Sequence, residues 1–126
     1  MNVARKLEPV EESQFLEKEK LQSIKDLADG DDEFFVELTD LFFERAPTLL
    51  GDMKNALDAG DAHKFERSSH ALKGTSGNLG AMRMMKICEE LERMGRENDL
   101  DGAPELYAEL SEIYPKTEKE LRDNWL

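Results

Sequence analysis

The 126-residue chain has one cysteine, few aromatic residues and no long hydrophobic run. Because Cys88 is the only cysteine, no disulfide can form within the chain. No apolar stretch approaches the roughly 20 residues that a membrane-spanning helix needs, and none resembles the apolar core of a signal peptide. We therefore expect a cytoplasmic protein.

The sequence also lacks a balance of charge, since 17 Lys and Arg stand against 29 Asp and Glu, which gives a formal net charge of -12. This surplus of negative charge argues against nucleic acid or an anionic membrane as the main partner. The charges are unevenly distributed, because residues 61–88 contain five basic and only two acidic residues. That basic segment suits an anionic group and an acidic partner.

What the sequence does contain is helical periodicity. Apolar residues recur at helical spacing in five segments, and breaks at Gly30, Gly60, Gly80 and residues 98–101 separate them. This pattern predicts an all-α fold, an antiparallel up-and-down four-helix bundle with a short additional N-terminal helix packed across one end. Residues 1–14 lack the periodicity and are predicted to form a flexible N-terminal arm, so the bundle domain is expected to span residues 15–126.

The second predicted helix contains Pro47 and two pairs of phenylalanines. Since Pro47 lacks the N–H that would bond the carbonyl of Phe43, we expect one long kinked helix or two nearly collinear ones. The phenylalanines could form an aromatic ligand site, but aromatic residues at helical spacing are mostly core. We expect a core position for all four, namely Phe34, Phe35, Phe42 and Phe43.

Residues 68–80, with the sequence SSHALKGTSGNLG, are the most informative stretch. On a helix, Lys73 and Gly74 lie one turn beyond His70 on the same face. Glycine in a helix interior costs about 1 kcal/mol relative to alanine, so Gly74 indicates close approach of another molecule. His70 lies off the apolar stripe and is expected to be accessible to solvent. The predicted outward face comprises His63, Arg67, His70, Lys73, Gly74 and Gly77.

This stretch resembles the signature of the histidine phosphotransfer (HPt) domain of two-component phosphorelay signalling. The family pattern is His, any residue, Leu, Lys, Gly, a small residue, then Ser or Ala, with Gly at the tenth position after the histidine. The motif is moderately specific, and the resemblance extends from about Leu16 to the end of the chain and implies the same four-helix bundle. The matching residues are His70, Leu72, Lys73, Gly74, Thr75, Ser76 and Gly80.

The resemblance implies a phosphoryl carrier without catalytic turnover of its own. His70 would accept a phosphoryl group from a receiver-domain aspartate and pass it to another receiver domain, and Lys73 would offset the added negative charge. The expected partners are receiver domains of response regulators or hybrid histidine kinases, and the chain itself is expected to be a monomer that holds no cofactor and no metal. The expected docking residues are His63, Arg67, Gly74 and Gly77.

Other functions stay open at this point. The chain could be a binding-only adaptor for a receiver domain, or the phosphoacceptor fragment of a chemotaxis-type histidine kinase. A metal hydrolase is a further alternative, because His63, Glu66 and His70 have spacings that superficially resemble a metal site. The full zinc-protease pattern is absent, so we favour a solvated His63 that borders the docking surface. Cys88 lies on an apolar stripe and is expected to be buried and inert.

Overall fold

A computed structural model describes residues 15–27 and 31–126, which form five α-helices and, within those ranges, no strand. None of these helices is long and apolar enough to cross a membrane. The last four helices form an antiparallel bundle, which confirms the predicted fold class. The predicted arm at residues 1–14 and the predicted break at Gly30 lie outside the described residues. The helices are α1 (Lys18–Leu27), α2 (Glu33–Ala59), α3 (Ala62–Leu79), α4 (Met82–Arg96) and α5 (Ala103–Asn124).

Both ends of α3 are fixed by short-range interactions. The Asp61 carboxylate accepts a hydrogen bond of 3.0 Å from the backbone N–H of Lys64, which caps the first turn. Gly60 and Gly80 end α2 and α3 in the left-handed conformation, with φ of 67° and 87°. Glycine adopts this conformation without the clash that a Cβ would cause. These local signals set where α3, the helix that carries His70, begins and ends.

The structure agrees with the predicted core positions of the phenylalanines of α2 except one. The helix continues as one element through Pro47, so the alternative of two collinear helices is wrong. Phe35 and Phe42 are buried, and Phe43 is half-buried. The predicted core position of Phe34 is also wrong, because its side chain is 52% exposed. Phe34 precedes Phe35 by 100° around the helix and so lies at the edge of the stripe, outside the interior.

Helix α1 packs across the end of the bundle where α2 begins and α5 ends, as predicted. The Lys25 ammonium lies 5.0 Å from the ring centroid of Phe35 and 5.6 Å from that of Trp125. Through these cation–π contacts, Lys25 of α1 holds the helix against the start of α2 and the end of α5. Just before α1, the backbone N–H of Glu17 donates a hydrogen bond of 2.7 Å to the carbonyl of Gly80. The short helix is therefore attached to three of the four bundle helices.

The lone cysteine lies on the inner side of α4. Cys88 is fully buried. Burial, reinforced by the negative charge of Glu92, raises the pKa of the thiol well above its usual range. The thiol therefore stays protonated, which agrees with the predicted inert, buried cysteine.

Candidate functional site

Two glycines allow α3 and α4 to pack closely, and this contact builds the site. A Cβ on Gly95 would lie 2.8 Å from the backbone nitrogen of Glu66, closer than real Cβ atoms come. Nearer the other end of the contact, a Cβ on Gly77 would lie 3.0 Å from the Met85 sulfur. Because the two antiparallel helices lie this close, side chains in the middle turns of α3 can form hydrogen bonds with side chains of α4.

The imidazole of His70 is anchored at one nitrogen and otherwise open to solvent. Its side chain is 68% exposed, as the helical pattern predicts, and its Nδ1 lies 2.8 Å from Oε2 of Glu92 on α4. An ionised carboxylate only accepts hydrogen bonds, so Nδ1 carries the hydrogen and donates it. In a neutral imidazole the free lone pair is then on Nε2. Nε2 is therefore the nucleophilic atom of the ring.

Glu92 accepts hydrogen bonds from both His70 and Lys73 of α3. Its side chain is only 10% exposed, and Oε1 lies 2.6 Å from Nζ of Lys73. Burial acts to raise the pKa of the Glu92 carboxyl, but hydrogen bonds from Lys73 and His70 outweigh it and hold the pKa below its usual value. Glu92 is thus ionised at neutral pH, and Arg96, with Nη1 3.9 Å from Oε2, adds a weaker attraction.

Lys73 lies beside His70 as the spacing indicates, but it is not a free surface cation. Its side chain is 29% exposed, and its ammonium is paired with Glu92. A second cation of the basic segment, Arg83, is buried and lies 3.1 Å from Glu109. The positive charge that residues 61–88 offer to a partner is therefore smaller than the sequence alone indicates.

The predicted docking residues do not share one face. His63, Arg67 and Gly74 are exposed on α3, whereas Gly77 is half-buried and directed at α4. An added Cβ at Gly74 would meet nothing within 4 Å, so the space above this residue is open. The reason for the split is angular, because successive turns of α3 drift around its axis. His70 lies between the side of α3 that faces α4 and the side that faces α2.

No group of three or more His, Cys, Asp or Glu side chains in the described ranges is placed to hold a metal ion. The spacing of His63, Glu66 and His70 therefore does not produce such a cluster. The exposed position of His63 is that of a solvated residue.

Sequence reasoning missed Glu92, the residue that organises this site. It lies 22 residues after His70, in a helix that contains two other glutamates, so no local motif connects the two. One signal was available. Glu92 follows Met85 and Cys88 at spacings of seven and four, which places an acidic residue in the register of the apolar stripe of α4. A carboxylate in that register needs a partner on a neighbouring helix.

Comparisons with known proteins show the family of the chain. The family model of the Hpt domain matches residues 37–121. The chain is 31% identical over 103 residues to Multistep phosphorelay regulator 1 of Schizosaccharomyces pombe, and the match covers 81% of this chain and 35% of that protein. It is 30% identical over 115 residues to Histidine-containing phosphotransfer protein 2 of Arabidopsis thaliana, with 89% of this chain and 70% of that protein covered.

A solved structure has the same fold. The crystal structure of histidine-containing phosphotransfer protein B from Pseudomonas aeruginosa PAO1 superimposes with a TM-score of 0.77 and 28% sequence identity. The superposition covers 86% of this chain and 91% of that one. The similarity therefore includes nearly the whole bundle.

Proposed function

Because the chain belongs to the Hpt domain family, we propose that it carries phosphoryl groups between receiver domains on His70. The observation that supports this best is the exposed imidazole whose Nδ1 is held by the ionised Glu92, which leaves the lone pair on Nε2. The proposal includes residues 15–126 as one phosphotransfer domain and residues 1–14 as an arm outside it.

The transfer step follows from the tautomer. The Nε2 lone pair of His70 attacks the phosphorus of an aspartyl phosphate on the receiver domain, in line with the P–O bond to the aspartate. The P–N bond forms as that P–O bond breaks, and the aspartate leaves as a carboxylate. The phosphorylated ring keeps its hydrogen on Nδ1 and gains positive charge, which the adjacent Glu92 carboxylate stabilises. Attack by the aspartate of a second receiver domain reverses these changes.

Lys73 and Gly74 support the step in different ways. The Lys73 ammonium lies one helical turn from His70 and places a compact positive charge beside the incoming phosphoryl group. Glu92 holds that ammonium in place while neutralising part of its charge. Gly74 leaves open space next to the ring, which allows the active-site loop of the receiver domain to approach. We assign docking roles to His63 and Arg67 as well, and a packing role against α4 to Gly77.

The remaining properties belong to the same proposal. Hpt proteins are phosphotransfer intermediates, and we propose that this chain is a carrier without turnover of its own and without a bound cofactor or metal. Its partners are receiver domains of response regulators or hybrid histidine kinases, and the net charge of -12 disfavours nucleic acid and anionic membranes. We further propose a cytoplasmic monomer.

A labelling experiment tests the proposal. The chain is incubated with a panel of purified receiver domains carrying radioactive aspartyl phosphate, and the label on the chain is tested for acid lability and alkali stability. We expect such label on the wild type and on His63→Gln, and none on His70→Gln. Label that persists in a folded His70→Gln variant would contradict the assignment. Receiver binding without any label would instead indicate a binding-only adaptor.

A further inference from the structure

Arg67 is an exposed cation of α3 that lies one helical turn before His70. We propose that its guanidinium group binds the oxygens of the phosphoryl group on Nε2 of His70 and thereby stabilises the phosphorylated chain. The inference rests on the proposed function, since it names a residue that holds the phosphoryl group on that histidine. Arg67 forms no covalent bond and exchanges no proton in this role.

The cation on the α4 side of His70 already has a partner. Nζ of Lys73 lies 2.6 Å from Oε1 of Glu92, whose side chain is only 10% exposed. If Lys73 left this contact to bind phosphoryl oxygens, a nearly buried carboxylate would lose its closest partner, and such a loss is costly. Lys73 therefore stays on Glu92, and the α4 side balances the charge of the phosphoryl group only in part.

The phosphoryl group extends away from that ion pair. Nδ1 of His70 lies 2.8 Å from Oε2 of Glu92, so this edge of the imidazole faces α4. The two ring nitrogens point away from each other, and a P–N bond at Nε2 is consequently directed away from Glu92. Side chains of a helix also lean towards its N-terminus, which brings the imidazole over the turn that contains Arg67.

Arg67 occupies the side of α3 towards which this bond points. Lys73 and Arg67 lie three residues after and before His70, which places them about 60° to either side of it. Since Lys73 is on the α4 side, Arg67 is on the α2 side, where it lines a depression between α2 and α3 together with Leu49 and Ala71. Cβ atoms three residues apart on a helix are about 5–6 Å from each other, within reach of a long side chain.

The guanidinium group of Arg67 is free to bind an anion. It has no hydrogen bond or ion pair with any residue in the described ranges. Asp61 lines the same depression, but its ion pair is with Lys64, at 4.0 Å. Binding a phosphoryl group therefore breaks no existing contact of Arg67. A guanidinium group also presents parallel N–H donors that match two phosphoryl oxygens, which a lysine ammonium does not.

Arg45 of α2 is a second exposed cation near His70, and it borders the same depression as the histidine. Because α2 and α3 run antiparallel from the turn at Gly60, Arg45 is level with about residue 75, roughly 7 Å along the axis beyond His70. Its side chain leans towards the start of α2 and so further from the imidazole. Arg45 therefore provides a control of equal charge.

The phosphoryl equilibrium between the separate proteins tests this role. From the panel above, the receiver domain that labels the wild type fastest is mixed in its phosphorylated form with the chain, at concentrations where little complex is present. The ratio of labelled chain to labelled receiver is measured before the aspartyl phosphate hydrolyses. Docking strength does not affect this ratio, because the ratio depends only on the free energies of the separate proteins.

We expect Arg67→Ala to lower the ratio about three- to tenfold. Arg67→Lys, which keeps the charge without the paired donors, should recover part of the loss. Arg45→Ala should leave the ratio within about 1.5-fold of the wild type. In the isolated phosphorylated chain, the phosphorus NMR resonance of phosphohistidine should move in Arg67→Ala and stay in place in Arg45→Ala. Both arginines are exposed, so melting curves should show that the variants are folded.

The outcomes separate this inference from the proposed function. If the wild type is labelled and Arg67→Ala leaves the ratio and the resonance unchanged, Arg67 does not bind the phosphoryl group, while the phosphotransfer function stands. A variant that only raises the half-saturating receiver concentration would limit Arg67 to docking and overturn the inference. Equal losses in Arg67→Ala and Arg45→Ala would overturn it too, because they would reflect the general positive field. If His70 takes no label from any receiver domain, both proposals fail.

Discussion

At the scale of single residues, one carboxylate positions both the proposed nucleophile and the nearby cation. Glu92 accepts from Nδ1 of His70 and from Nζ of Lys73, at 2.8 and 2.6 Å. The first contact fixes the imidazole tautomer, and the second fixes where the ammonium lies. Lys73 therefore acts as part of a hydrogen-bonded set, and its removal leaves a nearly buried carboxylate with fewer partners.

Replacing Glu92 by glutamine should slow transfer at saturating receiver concentration by about tenfold to a hundredfold. The amide of the Glu92→Gln variant can donate to Nδ1 as well as accept from it, so the ring is no longer held in the tautomer with a free Nε2. The rate is measured by rapid-quench labelling, with the exposed Glu89→Gln as the matched control. Equal rates in both variants would show that the tautomer does not need Glu92.

The same variant should reveal a pH-dependent contribution to stability. The pKa of Glu92 in the folded protein lies below its ordinary value of 4.5, so its ionised form stabilises the fold. That contribution is present above the ordinary pKa and is lost as the pH falls through the folded-state pKa. The wild type should therefore melt higher than Glu92→Gln at pH 7, and the difference in Tm should shrink at pH 3. A difference independent of pH would mean that the paired charge is not its source.

The sequence predicts that His70 and Gly74 lie together on the accessible side of α3, because their relation is local and depends only on helical geometry. It does not identify Glu92, because the contact spans 22 residues and depends on the register of two packed helices. For the same reason the sequence predicts that Lys73 is a free cation, whereas in the structure its ammonium forms an ion pair with Glu92. A positively charged segment can thus be neutralised by acidic residues from elsewhere in the chain.

At the scale of helices, the glycines of the bundle have opposite roles that the sequence does not distinguish. Gly95 permits the close contact between α3 and α4, whereas Gly74 faces open space. Helical periodicity predicts on which side of its helix each glycine lies, but it does not give the distance from that glycine to the neighbouring helix. The predicted core was likewise correct for Phe35 and wrong for Phe34, because the edge of an apolar stripe depends on how neighbouring helices cover it.

Alanine substitutions should separate these roles. Gly95→Ala forces a Cβ against the α3 backbone and should cost about 1–3 kcal/mol, which lowers Tm by roughly 4 °C or more. Gly74→Ala removes the helix penalty of glycine in open space and should gain up to about 1 kcal/mol, while the added methyl group slows transfer. Melting curves and labelling rates are measured on the same samples.

Gly51→Ala is the control for Gly74→Ala. Gly51 also lies in a helix with nothing within 4 Å of a built Cβ, but it does not line the depression beside His70 and Gly74. It should gain similar stability without a change in transfer. A Gly74→Ala variant that loses stability yet transfers at the wild-type rate would assign Gly74 to packing.

At the scale of the whole molecule, α1 closes the end of the bundle opposite to the α2–α3 turn. Leu21 and Ile24 of α1, together with Phe15 and Leu16 before it, are buried in the shared core. Local periodicity predicted this helix, and its position follows because a short amphipathic helix must bury its apolar side on the bundle. The proposed phosphotransfer site, in contrast, lies in the middle of α3, and its ion pairs join α3 to α4.

Deletions at the N-terminus should therefore affect stability and transfer differently. Removal of residues 1–14 should leave Tm and labelling of His70 nearly unchanged, because the proposed domain begins at residue 15. Removal of residues 1–27 exposes the core surface that Leu21 and its buried neighbours cover. Since each buried apolar side chain contributes about 1.5–3 kcal/mol, this deletion should lower Tm by well over 10 °C. At temperatures where the shorter chain is still folded, His70 should accept label at a rate close to that of the wild type, because α3 and α4 retain every contact of the site. Equal losses of Tm in the two deletions would show that residues 1–14 belong to the folded domain.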